Sequence, residues 1–246
     1  MNNVMCVKWG DLYGPEYVNI LYAMVRRNLT GPFRFICLTD DTRGLRSDVE
    51  AVPLSDASLK GWWSKLAFFQ EYLTVEGPCL TFDLDMVIVD NIDSFFEYEP
   101  GNFCMKWDYQ KGKKINHGHS SCVMRFEANN YTHIHDKFDI NKYDCAIHNT
   151  ERGFKQRRYW GDQLWITEHV GEPVSLWPKH WIVKFSRDCH RDPQTKEPIG
   201  EKSVNKIGLH TQEFFVPDDA KVIAFSGKRL RNENELDKIG KWWNDA

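Results

Sequence analysis

The chain lacks a basic excess: 32 Lys and Arg stand against 35 Asp and Glu in 246 residues, for a formal charge of -3. Binding to a nucleic-acid backbone needs clustered cationic charge, so nucleic acid is excluded as the main partner. The sequence also has no apolar stretch of the ~20 residues that a membrane span requires, and no charged-then-apolar leader opens it. These features predict a cytoplasmic protein without a transmembrane segment. Paired cysteines are missing as well: Cys6, Cys37, Cys79, Cys104, Cys122, Cys145 and Cys189 show no zinc or redox spacing. Their odd number, and the apolar runs around several of them, fit free thiols in a reducing compartment. No internal repeat or compositional shift marks a boundary, so residues 1–246 read as one domain, long enough to bury a sizeable core.

Aromatic residues are plentiful, at 14% with 10 Trp. Such rings serve either as packing or as platforms for bases and sugars. Basic residues gather only locally, at Lys111 to Lys114 and at Arg152 to Arg158. Both clusters read as solvated loops. The second also suits an anionic substrate or membrane surface, which leaves a peripheral membrane contact open.

Periodicity supplies the architecture. Val4 to Val7 reads as a strand, and Tyr17, Ile20, Leu21, Met24 and Val25 recur at helical spacing after Pro15. Phe33 to Leu38 reads as a second strand, Trp62 to Leu73 as a helix that packs on the sheet, and Leu80 to Phe82 as a third strand. Alternating strands and helices predict an α/β fold with a mixed, mostly parallel sheet flanked by helices. Farther on, the pattern predicts a short helix over 92–96, strands over 103–107, 121–126 and 221–225, a helix over 162–169, a loop or hairpin over 186–206 and a polar tail.

Within this pattern an apolar run breaks on two carboxylates: Leu80-Thr81-Phe82-Asp83-Leu84-Asp85-Met86-Val87-Ile88. Carboxylates beside a buried strand incur a desolvation cost unless a cation compensates. Their hard oxygens suit Mn²⁺ or Mg²⁺, ions that bridge protein carboxylates to substrate phosphates. A ligand site at the end of a central strand is where open α/β sheets bind. A lone Asp-x-Asp is a weak motif, and the alternative is one Asp capping a turn while the other pairs with a Lys.

Five segments in order carry a resemblance: Val7-Lys8-Trp9-Gly10-Asp11-Leu12-Tyr13-Gly14, Gly61-Trp62-Trp63-Ser64-Lys65-Leu66, Phe82-Asp83-Leu84-Asp85, Gly161-Asp162-Gln163 and Val222-Ile223-Ala224-Phe225-Ser226-Gly227-Lys228. Together they resemble the nucleotide-sugar glycosyltransferases of the GT-A fold, closest in pattern to family 8 and its bacterial relatives. The resemblance implies a hexosyltransferase that moves a sugar from a UDP-sugar to a glycan, lipid-linked or other hydroxyl acceptor, with retention of configuration. It implies donor contacts from Val7, Lys8, Trp9, Tyr13, Lys65, Asp83, Ser121, Gly227 and Lys228. Asp83 and Asp85 would hold Mn²⁺ or Mg²⁺, and Asp162 and Gln163 would line the sugar site as catalytic residues.

Relatives usually carry Phe-His-Gly-Lys where this chain has Phe225-Ser226-Gly227-Lys228, the His being the third metal ligand. His210 is the substitute nearest upstream. Other readings stand beside these: Tyr13 as loop packing, Lys65 as a snorkelling surface residue, Asp162 as a helix cap after Gly161. At the level of the whole chain, the alternatives are a degenerate transferase that binds nucleotide or glycan without turnover, and a sugar-nucleotide nucleotidyltransferase. The second usually opens with a Gly- and Arg-rich phosphate loop, of which Gly10-Asp11-Leu12-Tyr13-Gly14 has little.

Overall fold

The computed structural model describes residues 1–71, 74–107, 119–139, 161–171, 173–199, 213–225 and 233–243. Along the chain run β1 (Asn2–Lys8), α1 (Pro15–Asn28), β2 (Phe33–Thr39), β3 (Glu50–Pro53), a 3₁₀ helix (Gly61–Phe69), β4 (Pro78–Phe82) and β5 (Met86–Ile88). Next come α2 (Ser94–Glu97), β6 (Phe103–Lys106), β7 (Ser120–Glu127), α3 (His133–Asp136) and α4 (Asp162–His169). The remainder holds β8 (Val174–Leu176), β9 (Ile182–Lys184), α5 (Phe185–Asp188), β10 (His190–Arg191), β11 (Glu213–Phe214), β12 (Val222–Ala224) and α6 (Glu233–Trp243). The contacts divide into two compact units, one of Met1–Asn19, Gly31–Leu84 and Phe95–Leu176, the other of Ile20–Thr30, Asp85–Ser94 and Trp177–Ala246.

The first unit is built on a seven-stranded sheet in the order β3-β2-β1-β4-β7-β6-β8. β1 is parallel to β2 and β4, β2 to β3, and β6 to β8. Only β7 runs against its neighbours, β4 and β6. The mixed, mostly parallel sheet expected from the sequence is therefore present. Its order reverses at β1, with β2 on one side and β4 on the other, so the carboxyl ends of β1 and β4 form the switch point at which such sheets bind ligands.

The strands are apolar because they are covered: Val4, Met5 and Cys6 of β1 and Ile36, Cys37 and Leu38 of β2 are all fully buried. On one face a cluster joins Met5, Trp63, Leu66, Phe69, Phe126 and Trp165. Phe126 is its hub, with ring centroids 4.9 Å from Phe69 and 5.6 Å from Phe103.

The segment expected as an α-helix over 62–73 is instead the 3₁₀ helix Gly61–Phe69. Ser64, Ala67 and Phe68 are buried as well as the row that follows the 3₁₀ period. Trp63, Leu66 and Phe69, spaced by three, form the core row, and three residues per turn is the 3₁₀ period. The α-helical pattern instead puts Trp62 on the core face, yet Trp62 is 46% exposed. Gly61 enters the helix at φ 59°, a left-handed conformation that costs glycine little.

β7 also carries a buried cation. Arg125 is 1% exposed, and its guanidinium donates to the carbonyls of Phe96, Glu99 and Asn102 at 3.4, 2.5 and 3.0 Å. One planar fork thus satisfies the carbonyls of the turn that leads from α2 into β6.

In the second unit β12 lies between β5, to which it is antiparallel, and β9, to which it is parallel. The loop or hairpin expected over 186–206 includes a helix, α5, and its strand β10 pairs with β11, beyond the expected range. Aromatic packing sets this longer-range pairing, since Phe214 of β11 lies 5.7 Å from Phe185 and 6.3 Å from His190. The expected polar tail is the helix α6, in which Ile239 and Trp243, four residues apart, are buried.

Replacing Arg125 with Leu removes the donor from three carbonyls and its bonds to them, each of which costs free energy when lost. The expected loss is about 3 kcal/mol of stability, read as a lower urea midpoint with an unchanged m-value.

Candidate functional site

Beyond the carboxyl end of β4, four polar side chains of the first unit converge. β4 ends at Phe82, and the Asp83 amide donates to the Cys122 carbonyl at 2.9 Å. The antiparallel pairing with β7 therefore continues one step past the strand and fixes Asp83 beside Ser121. Asp162 enters from the opposite side of the sequence, as the first residue of α4. Gly161, before it, sits at φ 95°, a left-handed conformation that side chains resist. The α4 N-terminus has no side-chain cap, so the reading of Asp162 as a capping residue does not describe it.

Lys65 ties the group together. Its Nζ lies 2.7 and 2.9 Å from the two carboxylate oxygens of Asp83, 3.2 Å from Ser121 Oγ and 3.3 Å from Asp162 Oδ2. Ser121 Oγ in turn donates to Asp162 Oδ2 at 2.5 Å. Lys65 does not snorkel, since its side chain is only 16% exposed. Ser121 and Asp162 are 3% and 6% exposed.

The charges balance unevenly. Burial alone would push the Lys65 ammonium down, but the carboxylates of Asp162 and Asp83 outweigh it and hold its pKa above the ordinary value. For Asp83, burial raises the pKa, Lys65 opposes that, and the charge of Asp162 adds to the rise, so the net shift is upward. Among the described residues one ammonium faces two carboxylates, which leaves this group short of positive charge. A sugar hydroxyl or a further cation fits that imbalance.

The β1 end of the switch point contributes a second set. Lys8 is 5% exposed and donates to the Gly10 carbonyl at 3.4 Å, while the Gly10 amide donates to Asp40 Oδ2 at 2.9 Å. Val7 packs against the core, Trp9 is exposed, and Tyr13 meets the Tyr17 ring edge-on at 4.9 Å. The sequence reading does not single out Asp40. Its signal is the end of β2, Thr39-Asp40-Asp41, which the parallel pairing sets beside the end of β1.

The remaining expected residues are less connected or lie elsewhere. Gln163 follows Asp162 in α4, and its carbonyl accepts the Thr167 hydroxyl at 2.7 Å. Asp85 lies in the link from β4 to β5, with its carbonyl 3.3 Å from the Phe225 amide. His210, Ser226, Gly227 and Lys228 are outside the described residues. Among the described residues no group of three or more His, Cys, Asp or Glu gathers as a ready-made metal cage. The donor chemistry nonetheless suits a hard divalent ion. Within the first unit Asp83 offers two carboxylate oxygens, and with Lys65 as the ammonium on them among the described residues, acceptor capacity remains on a group with about four lone-pair sites.

Lys65→Met removes the ammonium between two carboxylates, with an expected loss of about 3–5 kcal/mol. Adding Asp162→Asn relieves the repulsion, so the double variant loses less stability than the sum of the two single variants. A double-mutant cycle on urea midpoints reads the coupling directly.

No family model matches the chain, and no curated protein does so either. Solved structures do. An active-site mutant of LgtC matches with a TM-score of 0.58 and 12% identity over 97% of this chain and 95% of LgtC. The glycosyltransferase GlyE of Streptococcus pneumoniae TIGR4 gives 0.61 and 10% identity, over 93% of this chain and 56% of GlyE. Mouse xyloside xylosyltransferase 1 gives 0.52 and 12% identity, over 91% of this chain and 97% of that enzyme. At these identities the likeness is one of architecture, and the chain has the GT-A fold of these glycosyltransferases.

Proposed function

We propose that the protein is a glycosyltransferase that moves a sugar from a nucleotide-sugar donor, a UDP-sugar, to a hydroxyl acceptor. The observation that carries the reading is the convergence of Lys65, Asp83, Ser121 and Asp162 at the switch point of the sheet. The fold shared with LgtC, a galactosyltransferase solved with donor and acceptor sugar analogues, lends further support. Family 8 membership and retention of configuration belong to the same proposal.

Transfer breaks the bond between the anomeric carbon and a diphosphate oxygen and forms one to the acceptor oxygen. Positive charge grows on the sugar and negative charge on the leaving group. In this reading Asp162 binds donor hydroxyls and its charge favours the cationic sugar. The Gln163 amide oxygen stabilises the same charge. Lys65 and Ser121 hold Asp83 and Asp162 in place, and Lys65 also meets the donor sugar or its phosphate. Lys8, Val7, Trp9 and Tyr13 flank the nucleoside, where an aromatic ring can stack on the base. Gly227 and Lys228 complete the donor set in this reading, Lys228 as the ammonium that would neutralise the departing oxygen.

A divalent ion held by Asp83 and Asp85, with His210 as a further ligand, would supply Lewis-acid stabilisation of the leaving diphosphate. With retention, the acceptor hydroxyl attacks on the face the diphosphate leaves and passes its proton to that group. Were the product inverted, Asp162 would be the general base.

Release of UDP from a panel of UDP-sugars, with Mn²⁺ and with EDTA, tests this directly. The expected outcome is Mn²⁺-dependent release that drops about 10²–10³-fold in Lys228→Ala, the scale for losing one charge stabiliser of a transition state. Nucleotide binding without release from any sugar would instead favour a binding protein without turnover.

A further inference from the structure

The 3₁₀ helix carries two tryptophans side by side, and it treats them differently. Trp63 is fully buried in the core, whereas Trp62 leaves 46% of its surface open to solvent. A large ring has the most to gain from burial, and a single exposed apolar residue by itself means little. The surroundings of Trp62 make it more than that.

Residues three apart on a 3₁₀ helix lie one above the other, roughly 6 Å along its axis. Trp62 and Lys65 therefore share a row, and Lys65 is the ammonium at the centre of the polar group. The edge of the indole also lies against Gly161: a Cβ there would stand 3.5 Å from Trp62 Nε1 and 3.6 Å from Cε2. Gly161 is the residue before Asp162. The exposed ring thus stands one turn of helix from Lys65 and against the residue that precedes Asp162. Packing of one edge against Gly161 holds the ring in place and leaves other surface available to a ligand.

We propose that Trp62 is the stacking platform for the acceptor, a pyranose ring laid with its C–H face on the indole. This inference rests on the transferase reading above. A sugar ring has one face of polarised C–H groups, which suits the negative face of an aromatic ring, and hydroxyls at its rim. With the donor sugar at Lys65, Asp83 and Asp162, a ring on Trp62 would lie beside it and could present a hydroxyl to the reacting carbon. Trp62 is a binding residue in this role and takes no part in proton transfer.

The test uses the full chain with Trp62→Phe and Trp62→Ala, each checked by circular dichroism and thermal melting. Saturation-transfer NMR with a panel of methyl pyranosides reads sugar binding without turnover. The expected result is saturation strongest at the C–H protons of one ring face, lost in Trp62→Ala and partly kept in Trp62→Phe. With the preferred glycoside as acceptor, KM should rise about tenfold in Trp62→Ala while kcat changes less, since every tenfold in affinity reflects about 1.4 kcal/mol. Equal saturation in wild type and folded Trp62→Ala, or no binding of any glycoside to wild type, overturns the proposal. If wild type binds glycosides through Trp62 but releases UDP from no UDP-sugar, the stacking site stands and the transferase reading falls.

Discussion

The contact on which the site depends is the ammonium of Lys65 between the carboxylates of Asp83 and Asp162. Two carboxylates near each other repel, and one well-placed cation lets them coexist. Everything around this contact serves to hold it. The β4–β7 pairing runs one residue past the strand to fix Asp83, Ser121 spans from Lys65 to Asp162, and the left-handed glycine turns the chain so that α4 begins at Asp162. The cost of assembling such a group is recovered only if a ligand uses it, since an apolar cluster of the same volume would stabilise the sheet at least as well. Polar groups retained at the switch point of an α/β sheet are therefore best understood through binding.

Much of the framework could be read from the residues. The strands β1, β2, β4 and β7 follow their apolar runs and the helix α1 its helical period, because each is covered by a continuous core and local pattern matches tertiary demand. The paired acids also stood out, as charges that interrupt an apolar run. The short strands were less visible. β3, β5, β8 and β9 span three or four residues, too few for alternation to register, and their identity depends on partners far along the chain.

The 3₁₀ helix shows a different limit. Trp62-Trp63-Ser64-Lys65-Leu66-Ala67-Phe68-Phe69 is so rich in apolar residues that periods of 3.0 and 3.6 both fit it. The choice between them is made by the sheet beneath and by Gly61 at its entry, and neither can be read from the segment alone. The consequence for function is not small, because the period decides which tryptophan faces the core and which stands beside Lys65. The convergence of Lys65, Ser121 and Asp162 was legible only through resemblance. Nothing in their spacing of 56 and 41 residues brings them together; the strand order does.

The single reversed strand has a further effect. Because β7 runs against β4 and β6, it starts where they end, and Lys106 at the end of β6 is registered opposite Ser120 at the start of β7. The connection between β6 and β7 therefore leaves from and returns to the same rim as Ser121. The reversed strand thus gathers the end of β4, the end of β6 and the start of β7 on the rim where Asp83 and Ser121 stand.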